Sequence, residues 1–214
     1  LPIRSGPEGV VTDWLASLDG VDKDALLRDF SQKTLRQWMR EREGHRSFTV
    51  LRHPVARAHE AFCSKILTTG PGSFAAIRRT LIRAHNMPLP EDGPGDGYDL
   101  AAHRTAFTAW LAFVKACLSG QTGVRVDAHW ATQAQCLQGM SEFALPDMVI
   151  REDEMSDYLP ALAMQVGHPS PPDPERVPIR APYSLAEIYD DEIEQLARDA
   201  YQRDYLVFGF SDWG

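Results

Sequence analysis

The hydrophobic period of this chain changes at Pro54, and that change fixes more about the fold than any other feature. Upstream, "SFTVL" (Ser47 to Leu51) is a short apolar, β-branched run that reads as a buried strand. Downstream, Val55, Phe62 and Ile66 share one helical face, and Pro54 suits a first helical turn. A strand delivered into a helix is the basic step of an α/β fold. It leaves Arg52 at the C-terminal end of the strand, where open parallel sheets bind ligands. The following helix offers free N–H groups and a positive dipole end. Two readings fit this corner: a solvated turn, or a cradle for an anion such as phosphate, which arginine grips through two parallel hydrogen bonds.

The alternation continues on both sides. Residues from about Asp22 to Glu43 read as a helix with Leu26, Leu27, Phe30, Leu35, Trp38 and Met39 as its apolar stripe, and Gly44 as a stop. "SFAAIRRTLIRAHN" predicts a helix capped by Ser73, with Phe74, Ile77 and Leu81 inward and Arg78, Arg79 and Arg83 on a solvated face. Met87 to Asp99 is rich in Pro, Gly and Asp and reads as a loop, after which Asp99 caps a long helix with Leu100, Phe107, Leu111, Val114 and Leu118 inward. "ALPDMVI" (Ala144 to Ile150) predicts a second strand, followed by a helix through Ala161 to Val166. The prolines of Gly167 to Ser184 exclude regular structure, so that stretch reads as an extended strap. A final amphipathic helix carries Ile193, Leu196, Ala200 and Tyr201. The expected fold is α/β and helix-rich, with a mainly parallel central sheet and one domain over residues 1–214.

Charge narrows the partners. With 22 basic against 30 acidic residues the net charge is −8, so generic binding to nucleic acid or an acidic membrane is not expected. An anion site must be a local basic pocket. No apolar run is long enough to span a bilayer. Cys63, Cys117 and Cys136 are odd in number and lack metal-ligand spacing, which fits a reducing, cytoplasmic setting and gives no expectation of a metal site. The acidic runs "YDDEIE" and "EDEMSD" read as helix starts that complement the dipole. His59, His85, His103 and His168 are expected on helix faces or loops without a special task.

Four segments together resemble one family. "VLRHPVARAHEAF" looks like the 3′-phosphate-binding segment of the Golgi-type carbohydrate sulfotransferases (sulfotransferase family 2) and their bacterial relatives. "DAHWATQAQC" (Asp127 to Cys136) is similar to the family's His-Trp segment, and "DMVIREDEM" (Asp147 to Met155) resembles its strand leading to an acidic turn. "IYDDEIEQLARDAYQRDYLVFGF" (Ile188 to Phe210) looks like its closing helix and Phe-Gly-aromatic end. The resemblance implies a P-loop-like α/β fold that binds 3′-phosphoadenosine 5′-phosphosulfate (PAPS) and passes its sulfuryl group to a small-molecule or carbohydrate hydroxyl. It implies Arg52 on the 3′-phosphate, with His53 and Arg57 beside the nucleotide. His129 is the candidate base, since an imidazole titrates near pH ~6.5. The other reading of His129 and Trp130 is that they pack a loop against the core.

The match departs in two places. The family's serine eight residues after the arginine is Glu60 here, a carboxylate that must turn from a phosphate or meet Arg57. The 5′-phosphosulfate loop, with its lysine after an apolar strand, is not found before Arg52. The expectation is that its strand and loop lie upstream of Leu1, the alternative being that the protein has lost them. These residues alone are then not expected to transfer sulfuryl groups. The rival reading is a non-catalytic relative that keeps the fold and binds a nucleotide or a partner protein.

Overall fold

A computed structural model describes residues 2–141, 144–175 and 181–214. The chain forms two compact units, Leu1–Arg52 with Gln135–Val177, and His53–Ala134 with Pro178–Gly214.

The first unit is built on two parallel strands, β1 (Phe48–Leu51) and β2 (Met148–Arg151), aligned Phe48↔Met148 through Leu51↔Arg151. They form the one sheet among the described residues. Helix α1 (Glu8–Asp19) and helix α7 (Met155–Gln165) bury Val10, Trp14, Leu159 and Ala163 with Val50 and Ile150. Gly20, at φ 62°, ends α1 in the left-handed conformation, donating to Ser17 O while Val21 N–H reaches Ala16 O. The entrance of the sheet is fastened by Asp147, whose Oδ2 accepts from Ser47 N–H (2.7 Å) and the Ser47 hydroxyl (2.8 Å).

The predicted helix from Asp22 to Glu43 is interrupted. A 3₁₀ turn spans Lys23–Ala25, residues 26–31 are irregular, and α2 covers only Gln32–Glu41. Side-chain caps explain the break: Asp22 accepts from Asp24 N–H and Ser31 from Thr34 N–H, each offering the backbone a local alternative to a continuous helix. Asp29 sits at φ 56° between them. Leu27 is 68 % and Phe30 37 % exposed, so around the break the apolar stripe has little burial with which to override the caps.

The second unit holds the larger core. Helix α3 (Pro54–Ala61) carries Pro54 at its first turn and continues into a π-helical turn at Phe62–Leu67. Helices α4 (Ala75–His85), α5 (Leu100–Leu118), α8 (Leu185–Ile188) and α9 (Asp191–Phe208) complete it, with α3 and α5 packed on α9. Val55, Phe62, Ile66, Phe107, Trp110, Leu111, Val114, Trp130 and Ile193 are fully buried there. Helix α6 (Gln133–Ser141) begins in this unit.

Asp99 caps α5 as predicted, accepting from Ala102 N–H. Leu100 is 39 % exposed, because it directly follows the cap and lies outside the buried face. Ser73 does not cap α4: Phe74 occupies that position, and its N–H donates to Lys65 O. Arg78 is also not on a solvated face. It is 4 % exposed and donates to the carbonyls of Glu91 and Pro90, fastening the Pro- and Gly-rich loop. The proline-rich stretch is irregular at 167–175 and 181–184, and its residues 176–180 lie outside the described residues.

Candidate functional site

Parallel register decides the surroundings of Arg52. Leu51 pairs with Arg151, so the residues that follow the two strands, Arg52 and Glu152, leave the same end of the sheet. They meet in a two-point ion pair, Nε to Oε2 and Nη2 to Oε1, both 2.7 Å. Arg52 Nη1 also reaches Ser5 O at 3.5 Å. The arginine side chain is 7 % exposed and the glutamate 25 %. A guanidinium carries five N–H donors in one plane, and Glu152 takes two of them while setting that plane. The arrangement fixes a flat guanidinium, its charge balanced by Glu152, at the end of a strand.

His53 opens the second unit as the residue before Pro54. Its Nε2 is 3.0 Å from Ser211 O and donates to it. Its ring stands edge-on to Tyr205 (5.4 Å) and Phe210 (5.2 Å). His53 is thereby joined to the closing Phe-Gly-aromatic segment.

Arg57 lies one turn into α3 and is 1 % exposed. Its Nη1 donates to Ala131 O and its Nη2 to Ala128 O, each at 2.6 Å. It therefore holds the loop that carries His129. Within that loop Asp127 Oδ1 accepts from His129 N–H (2.9 Å), and Trp130, fully buried, places its carbonyl to accept from the Tyr201 hydroxyl (3.2 Å). His129 itself is half-buried, with its ring 5.6 Å from that of Phe74.

Asp204 of α9 closes the same assembly. Its two carboxylate oxygens accept from Gln133 N–H (2.8 Å) and Ala134 N–H (2.9 Å), capping α6 from outside the helix. Burial pushes its pKa above the usual carboxylate range, against the opposing pull of those two N–H groups and of Arg57.

Of the predicted site residues, Arg52 thus lies in the first unit, and His53, Arg57 and His129 in the second. Arg57, on α3, is brought against the loop that carries His129; His53 stands with the chain end. Glu60 is half-buried on α3. Two contributors were passed over in the sequence. Glu152 read only as a helix start, because its partner is 100 residues away. Asp204 carried no signal beyond its place in the closing segment.

The second unit also buries a polar cluster. His59 and His103 face each other through Nε2 at 3.0 Å, with Cys63 Sγ 3.6 Å from His59 Nε2. Burial, with a smaller contribution from His103, lowers His59 to a pKa of about 3, and burial lowers His103 to about 4. The Cys63 thiol is pushed up by burial and by Glu60.

Against known proteins, the model of the Sulfotransferase family matches residues 19–211. That span takes in all four segments described above. No curated protein and no solved structure matches the chain.

Proposed function

The chain belongs to the sulfotransferase family, and from that premise we propose that it uses PAPS as sulfuryl donor and a small-molecule or carbohydrate hydroxyl as acceptor. The family match over residues 19–211 is the observation that carries the reading. It is supported by the way the matched segments interlock: Arg52 with Glu152, Arg57 with the His129 loop, Asp204 with the start of α6. The parallel pair of strands supports the P-loop-like α/β arrangement that such a site needs.

In this reading Arg52 holds the donor's 3′-phosphate. Glu152 already sets the guanidinium plane, so little side-chain freedom is lost on binding. His53 is its neighbour in the chain, and Arg57 serves by positioning the loop of His129. When bound, the donor supplies a sulfuryl group already activated by its phosphate leaving group. His129 accepts the proton that the acceptor hydroxyl loses. Sulfuryl transfer, like phosphoryl transfer, spreads charge over peripheral oxygens, so the protein acts chiefly through positioning and cationic stabilisation.

A second reading has its own observation. Glu60, where the family carries a phosphate-binding serine, favours a non-catalytic relative that keeps the fold and binds a nucleotide or a partner protein. Incubating the full-length protein with PAPS and hydroxyl acceptors, and measuring release of 3′,5′-adenosine bisphosphate, separates the two. Acceptor-dependent release supports transfer. Binding of the bisphosphate without any release supports the non-catalytic relative.

A further inference from the structure

We propose that His59, Cys63 and His103 bind a Zn²⁺ ion in the core of the second unit. The three residues come from two helical segments that sequence distance does not suggest as partners. His59 and Cys63 are four residues apart, on one side of the path from α3 into its π-helical turn. His103 lies one turn into α5, which Asp99 caps. All three are buried, at 1 %, 5 % and 0 % exposure.

Their donor atoms already have the spacing of a coordination sphere. His59 Nε2 and His103 Nε2 are 3.0 Å apart, Cys63 Sγ is 3.6 Å from His59 Nε2, and all three donor atoms lie within 4.8 Å of one another. Tetrahedral zinc, with bonds of about 2.0–2.1 Å to nitrogen and about 2.3 Å to sulfur, separates two nitrogens by about 3.3 Å and a nitrogen from a sulfur by about 3.6 Å. The His59–His103 and Cys63–His59 separations lie within a few tenths of an ångström of these values. One thiolate and two imidazoles favour zinc over the hard cations magnesium and calcium.

An outer partner is also in place. The Tyr98 hydroxyl is 3.0 Å from His103 Nδ1. With Nδ1–H donating to that oxygen, Nε2 is left as the ligand atom, the arrangement by which metal-bound histidines are oriented. Without an ion the same atoms make a hydrogen-bonded chain from Tyr98 through His103 and His59 to Cys63, which is the competing account. Zinc binding breaks the Cys63 S–H bond, forms an S–Zn bond and releases the proton to solvent; no electrons move. The ion would tie α3 and its π-helical turn to α5. The spacing of the cysteines to one another gives no sign of a metal, because it leaves out His59, four residues from Cys63, and His103, 40 residues from it.

The test uses the full chain purified without chelator. One zinc per chain, and a thiolate-to-cobalt charge-transfer band when Co²⁺ replaces zinc, are expected. Cys63→Ser should abolish the band, and Cys136→Ser should leave it. Folded wild type with neither zinc nor a band overturns the proposal, as does a band that survives Cys63→Ser. If Cys63→Ser does not fold, thermal denaturation of the metal-stripped wild type decides: Zn²⁺ should raise the midpoint where Mg²⁺ does not, and no shift with Zn²⁺ overturns the site. None of these outcomes depends on nucleotide binding.

Discussion

Arg52 and Glu152 close the ends of two parallel strands with a two-point ion pair, Nε–Oε2 and Nη2–Oε1 at 2.7 Å. The pair lies where the first unit would present a cation to a ligand. It also sets a structural requirement, since a guanidinium this enclosed depends on a partner.

Breaking the pair from one side should therefore cost more than removing both partners. Glu152→Ala is expected to lower stability by about 1–3 kcal/mol, below the roughly 3–5 kcal/mol of a fully buried pair because the glutamate is partly exposed. The double variant Arg52→Met with Glu152→Met should be closer to wild type than Glu152→Ala alone. Urea unfolding of the cycle measures this. Strictly additive losses would contradict the coupling.

Arg57 makes a different demand. Its two donors satisfy the carbonyls of Ala128 and Ala131, and Arg57→Ala removes the donor from both part-buried bonds. A loss of about 2–4 kcal/mol is expected. Arg57→Lys should recover little, because a single ammonium does not reproduce the fork that spans two carbonyls. A midpoint for Arg57→Ala within experimental error of wild type would remove the positioning role assigned to this side chain.

Asp147 gives the acid dependence a sign. Its pKa is held below the usual carboxylate range, first by Ser47 N–H and then by the Ser47 hydroxyl. Its folded pKa is depressed, so its contribution is fully present above the unfolded value near ~3.9 and is lost as pH falls through the lower folded value. Asp147→Asn should flatten the stability profile in that acid window and leave its shape unchanged near neutrality. Equal acid slopes for the two proteins would contradict it.

Much of the fold could be read locally. The strand before Pro54, the proline-led helix and the Asp99 cap are each set by periodicity or capping chemistry within a few residues. The helix predicted from Asp22 to Glu43 failed where local caps at Asp22 and Ser31 met a stripe whose Leu27 and Phe30 stay exposed. Arg78 failed the other way: its spacing marked a solvated face, and its carbonyl partners on the next loop turned it inward. The site was half legible. Arg52 stood out by its position, but Glu152, Asp204 and the pairing of His59 with His103 depend on contacts between segments 44 to 100 residues apart. No pattern within a single segment encodes such contacts.

The central claim is that Arg52 holds the 3′-phosphate of a sulfuryl donor. Isothermal calorimetry of 3′,5′-adenosine bisphosphate with the full-length protein, beside Arg52→Ala, tests it most directly. Saturable binding by wild type, weakened at least tenfold (about 1.4 kcal/mol) in the variant, is the predicted result. No binding by wild type would contradict the nucleotide site, and equal binding by both proteins would contradict the role of Arg52.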